Sequence, residues 1–218
     1  MGSLLSFTGM SGIVLEICSK SDRLLDTIAD VARGKFSARP RNDPKYFNGK
    51  YPFVQTGDVS ACTLFLKSYS QTLNEQGLTV SKLFPKDTIL ITIAANIGDV
   101  AITEFSVACP DSVVGIQTQL KECSSFWLYY ALSTKKEELD SKATQNAQKN
   151  INLQVLNPLA FAIPPIPEQN KIAAVLLSTD KKLQQLSEQK TQTQQLKKGL
   201  MQQLLTGQIR VTPEPQDY

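Results

Sequence analysis

The hydrophobic rhythm of the chain changes along its length. In the middle, apolar residues come in short β-branched runs; after Pro167 they recur every three or four positions. The runs "DTILITIAA" (87–95), "VAITEFSVA" (100–108) and "SVVGIQTQL" (112–120) have the length and composition of strands, with "NIGD" (96–99) as a turn. "KYPFVQTGDVS" (50–60) is also β-rich and carries a Gly-Asp turn. "LLDTIADVAR" (24–33) places Leu24, Leu25, Ile28, Ala29 and Ala32 at helical spacing ahead of Gly34, a natural stop. Residues 124–143 predict a second helix with Phe126, Trp127, Tyr130, Ala131 and Leu139 toward the core. "LNPLAFAIPPIP" (156–167) predicts extended chain. Strands interrupted by a few helices define an α+β domain over residues 24–163, after an N-terminal segment of residues 1–23.

The last part of the pattern is of another kind. Glu168–Leu205 contains no proline and one glycine, and Ile172, Leu176, Thr179, Leu183 and Leu186 alternate four and three apart. That is the seam of a coiled coil. It lapses across "QKTQTQQ" and resumes at Leu196, Leu200 and Leu204. Pro167 suits a first helical turn, Glu168 complements the positive end of the helix dipole, and Gly207 suits a C-terminal cap. A helix of this length runs about 50–60 Å at 1.5 Å per residue. Its apolar stripe therefore predicts a partner. Three prolines in residues 164–167 restrict φ and stiffen the chain just ahead of it. Residues 164–207 form this junction and helix, and 208–218 a tail.

Composition narrows the chemistry. The chain lacks histidine, which removes histidine-based triads, dyads, metal sites and pH switches. Cys18, Cys62, Cys109 and Cys123 form no C-x-x-C pair and read as dispersed reduced thiols of a cytoplasmic protein. The first 20 residues lack a basic n-region, and Glu16 breaks their apolar run, so they predict neither a signal peptide nor a membrane span. Neither G-x-G nor G-x-x-x-x-G-K-[ST] occurs, so a nucleotide-cofactor loop is unsupported. "NPLAF" (157–161) departs from the N-P-P-[FY] pattern of amino-methyltransferases at Leu159 and reads as structural. No catalytic residue, metal ligand or cofactor is expected.

The net charge of +3 is mild, but its distribution is not. Residues 33–50 carry Arg33, Lys35, Arg39, Arg41, Lys45 and Lys50 against one acid, Asp43, with Phe36, Tyr46 and Phe47 interleaved. Such density suits phosphate contact, assigned to Lys35, Arg39, Arg41 and Lys45, with Tyr46 as a base-contact candidate. Gln71 in "SYSQTLNEQG" (68–77) is a second. In "SKATQNAQKNIN" (141–152), Lys142 and Lys149 are phosphate candidates. Its asparagines suit either turn capping or base reading.

"ATQNAQKNINLQVLNPLAFAIPPIPEQNKIAAVL", followed by "LKKGLMQQLLTGQIRV", resembles the specificity (S) subunit of type I restriction-modification enzymes. "FSARPRNDPKYFNGKYPFVQTGDVS" and "LFPKDTILITIAANIGDVAI" resemble that family's target recognition domain. The resemblance implies a non-enzymatic component that reads one half of a split sequence in double-stranded DNA. It implies docking to methyltransferase (M) subunits, and through the complex to a restriction (R) subunit. Methyl donor, ATP and Mg²⁺ would belong to those partners. A full subunit of the family carries two domain-plus-helix repeats. This chain has one, which resembles a half-size form. Such a form acts alone, with another half, or as the expected homodimer through antiparallel helices, with Ile172, Leu176, Leu183, Leu186, Leu196 and Leu200 in the seam. The competing readings are a coiled-coil assembly adaptor and a fragment of a self-contained DNA methyltransferase or endonuclease.

Overall fold

The computed structural model describes residues 21–119, 121–144 and 150–211. It divides between Asn170 and Lys171 into two units. The first is a mixed α+β domain whose strands form three sheets. β1 (Ser21–Leu24) pairs antiparallel with β11 (Ala160–Ile163). The central sheet has the order β2 (Ala29–Arg33), β10 (Val113–Thr118), β7 (Ile89–Thr92), β8 (Val100–Thr103), β4 (Phe65–Leu66). The third has the order β5 (Gln71–Leu73), β3 (Phe47–Phe53), β9 (Val107–Ala108), β6 (Leu83–Phe84).

The β-branched runs become the middle of the central sheet. Every residue of β7 and β8 is buried, as expected of strands covered on both faces. The turn between them closes with Gly98 at φ +84°, a conformation glycine adopts freely. Two apolar clusters follow. Leu66, Phe84, Leu90, Val107 and Val113 belong to one; Phe36, Ala38, Phe53, Leu73 and Ala108 form the other. Phe84 lies over Gly115 of β10, where an added Cβ would sit 2.4 Å from the ring. Cys62, Cys109 and Cys123 are free thiols, and burial pushes Cys123 up to about 12. Cys18 lies outside the described residues.

Two expected helices are corrected. In "LLDTIADVAR" only Leu25–Ile28 is helical (α1); Ala29–Arg33 then runs as β2. Ala29 to Arg33 pair with Thr118 to Val114, so the hydrogen bonds of an existing sheet override a helical periodicity only ten residues long. The 124–143 segment is two helices, α4 (Ser125–Ser133) and α5 (Lys136–Thr144). Its buried face is Trp127, Leu128, Tyr129 and Leu132, with Leu139 beyond the break, whereas Phe126 is exposed. Two other one-turn helices stand where extended chain or turns were expected. The Gly-Asp turn lies inside α2 (Thr56–Ser60), and Leu153–Leu156 forms α6. α3 (Glu75–Thr79) follows β5.

The long helix, α7, spans Ile166–Leu205. Gly207, at φ +72°, sends its N–H back to the Leu204 carbonyl and ends it as expected. Its first turn belongs to the α+β unit and is tied there by one amide. Gln169 is fully buried. Its Oε1 accepts the Ser124 N–H at 2.8 Å, and its Nε2 donates to the carbonyls of Glu122 at 3.0 Å and Pro164 at 2.9 Å.

In Gln169→Leu these three backbone groups lose their partner inside the fold. Urea unfolding is expected to show a loss of about 2–4 kcal/mol, because buried polar groups left unpaired carry their full desolvation cost. A loss within error of zero would mean that water replaces the amide without penalty.

Candidate nucleic-acid interface

The basic segment begins where β2 ends. Gly34 donates to the Val113 carbonyl at 2.8 Å, and the Lys35 N–H to the Cys109 carbonyl at 2.9 Å. From there the chain alternates. Phe36 and Ala38 are buried; Lys35, Ser37 and Arg39 are exposed. Period-two burial is the signature of an extended ribbon lying on a core. Lys35 and Arg39 therefore project from the same side of an anchored backbone, not from a loose loop. Phe36 is not available for base contact. Its ring lies 5.0 Å from Phe53 and 5.7 Å from Phe47.

The other cations of the segment are engaged. Arg41 pairs with the Asp111 carboxylate at 2.8 Å, and Arg33 donates to the Asp111 backbone carbonyl. The hydrogen bond from Arg41 holds the Asp111 carboxyl below the usual carboxylate range. Lys45 pairs with Asp43 at 2.9 Å, lowering the carboxyl and raising the ammonium. Lys50 pairs with Glu75 at 2.8 Å, and Tyr51 donates to the same carboxylate at 2.9 Å. These pairs are exposed and screened by solvent, so a phosphate can displace the acid. Arg39 donates only to the Ala38 carbonyl, at 2.8 Å, and no acid partners it or Lys35 among the described residues.

Tyr46 is half-buried, edge-on to Phe36 at 6.2 Å, with the Lys45 ammonium 4.9 Å above its ring. Gln71 is exposed on β5 and accepts from Gln55 Nε2 at 3.1 Å. Lys142 lies apart from this segment in sequence, on α5, where Glu138 holds its ammonium at 2.7 Å. Lys149 lies outside the described residues. Lys67 is exposed between β4 and β5, and Asn48 stands at φ +61° beside a break in the β3–β5 register.

In the second unit, Leu183, Leu186, Leu196, Leu200 and Leu204 are all exposed, from 40% to 63%. Every residue from Lys181 to Leu205 is exposed. Among the described residues no helix is long and apolar enough to cross a membrane. None of them form a cluster of three or more His, Cys, Asp or Glu that could hold a metal ion.

The described residues thus combine a β-rich domain that carries an anchored cationic ribbon with a long helix whose leucines are exposed. The chain belongs to the family described as the type I restriction modification DNA specificity domain, whose profile matches residues 25–197. It is 31% identical over 130 residues to a Methanocaldococcus jannaschii protein assigned to the MjaX type I restriction enzyme as its specificity subunit, covering 60% of this chain and 31% of that one. The MjaVIII specificity subunit of the same organism is 22% identical over 175 residues, 74% of this chain and 40% of that protein. The HsdS subunit from Thermoanaerobacter tengcongensis shares the fold at a TM-score of 0.63 and 17% identity, over 89% of this chain and 46% of that one. The S subunit from M. genitalium does so at 0.59 and 20%, over 88% and 47%. The chain thus spans less than half the length of these relatives.

In Arg41→Ala the Asp111 carboxyl is expected to rise toward the ordinary aspartate value of about 3.9. Carbon-13 NMR titration reads this directly, and an unchanged midpoint would remove Arg41 as the cause. Since the folded-state value is the lower one, the pair's stabilisation is full above the unfolded value and is lost as pH falls through the folded one.

Proposed function

We propose that this chain is the DNA-reading component of a type I restriction-modification complex, without catalytic chemistry of its own. Lys35 and Arg39 carry the reading: two cations without acidic partners, held on one side of a ribbon whose other side is core. Phosphate contacts of this kind set register and orientation on a duplex. Arg41 and Lys45 join them by exchanging a carboxylate for a phosphate. Tyr46, Gln71, Lys142 and Lys149 remain candidates for further contact. Residues 24–163 act as the target recognition domain and 164–207 as the junction and assembly helix, flanked by the segments 1–23 and 208–218. M subunits supply methyl transfer, and R subunits join through the complex.

The helix seam serves assembly, and the half-size form pairs with a second copy in antiparallel fashion. The spacing of the seam supports this choice. In that direction Leu183 meets the partner's Leu200, and Lys190 and Lys197 fall opposite the partner's Thr193 and Leu186. The polar stretch around Thr191 then falls at the two-fold axis. A parallel pair in register would instead stack Lys190 and Lys197 on their own copies, which is repulsive. Two identical domains related by a two-fold axis read an inverted repeat with an unread spacer.

Lys35→Ala with Arg39→Ala is expected to weaken binding across all DNA sequences. The salt slope should shrink by about 0.9 for each phosphate that the variant no longer neutralises. An unchanged slope means that these cations do not touch phosphate. Leu183→Glu with Leu186→Glu is expected to turn a dimer into a monomer in light scattering; a monomeric wild type at micromolar concentration overturns the homodimer. Methylome sequencing of cells expressing the chain with its methyltransferase tests the whole reading. A split inverted repeat is expected, and a contiguous asymmetric motif would exclude the symmetric pair.

A further inference from the structure

Residues Phe47, Asn48, Tyr69, Ser70, Gln71 and Thr72 line a surface cleft of about 210 Å³. Two of its lining residues, Ser70 and Gln71, are held by side chains in and beside α2. The Asp58 carboxylate, in α2, accepts the Gln55 backbone N–H at 2.8 Å and the Ser70 hydroxyl at 2.9 Å through the same oxygen. Gln55 Nε2 then donates to Gln71 Oε1 at 3.1 Å. Gln71 is thus held from behind through its oxygen. A carbonyl oxygen has a second acceptor site, and the Gln71 Nε2 donors have no protein partner among the described residues. The free edge of this amide offers one acceptor beside one donor. Tyr69, on the same cleft, is 43% exposed and steadied edge-on by Phe105 at 5.6 Å.

We propose that this cleft reads an A·T base pair in the major groove, with the Gln71 amide on the adenine edge and the Tyr69 ring against the thymine methyl. The inference rests on the DNA-specificity reading above and adds the base pair and the residues that read it. An amide is the side chain whose donor and acceptor match adenine N7 and N6 together, and thymine alone presents a methyl group. Guanine offers two acceptors in that groove and would leave Gln71 Oε1 facing another oxygen. Gln55 is the positioning residue: it touches no base and fixes which end of the Gln71 amide faces outward.

The test uses the full chain in complex with its methyltransferase subunits. Target motifs are determined for wild type, Gln71→Leu and Gln55→Leu. Wild-type binding is then measured on duplexes carrying 7-deazaadenine, which lacks the N7 acceptor, or uracil in place of thymine. The expected result is one A·T position where 7-deazaadenine weakens wild type by about five-fold or more and leaves Gln71→Leu unaffected. Uracil at the partner position should weaken wild type less. Gln55→Leu should lose preference at that position with an unchanged salt slope, which separates loss of aim from loss of fold. If Gln71→Leu selects the wild-type motif at full stringency, the inference is overturned while the DNA-specificity reading stands. If wild type selects no motif, both fall.

Discussion

The phase of the candidate interface depends on one close approach, at Gly34. A Cβ there would lie 2.2 Å from the Pro110 carbonyl oxygen and 2.7 Å from that of Cys109. With no side chain in the way, residues 34 and 35 hydrogen-bond the segment leading into β10. That approach carries the chain from the central sheet to the second apolar cluster. It also decides that Phe36 and Ala38 face inward, which leaves Lys35 and Arg39 outward. A displacement of one residue would exchange the two sets, putting charge into the core and a phenylalanine into water.

Much of this was legible in the sequence, and for physical reasons. Strands buried on both faces announce themselves as β-branched runs, so β7, β8 and β10 were readable. A helix whose seam recurs on both sides of a polar stretch and ends at a glycine was readable too. What failed was local. Ala29–Arg33 carries no strand signal of its own; it is a strand because β10 lies beside it. On α4 the buried face is displaced from the one chosen, since seven of its nine residues are apolar or aromatic and no polar face fixes the phase. The cluster of cations was visible as composition. Their sorting into paired and unpaired was not, because Asp111 and Glu75 approach from distant parts of the chain.

That sorting shapes how the surface meets a polyanion. A cation already paired with a carboxylate exchanges one anion for another and gains only the difference. An unpaired one gains the full attraction and releases counterions condensed on the duplex. In the proposed DNA reading, Lys35 and Arg39 are therefore suited to capture at long range, and Arg41 and Lys45 to adjustment once the duplex is seated. The acids also hold those side chains in place, which lowers the entropy lost on binding.

The exposure of α7 from Lys181 to Leu205 has a thermodynamic consequence of its own. Most helical stability in proteins comes from tertiary packing of an apolar face rather than from intrinsic propensity. In the proposed pair, this segment draws its order from the copy that covers the leucines. Rigidity of the arm is then a collective property and follows the law of mass action. When the covering partner is dilute, the arm frays and loses its length as a measure of distance. When the partner is abundant, the same residues become a ruler.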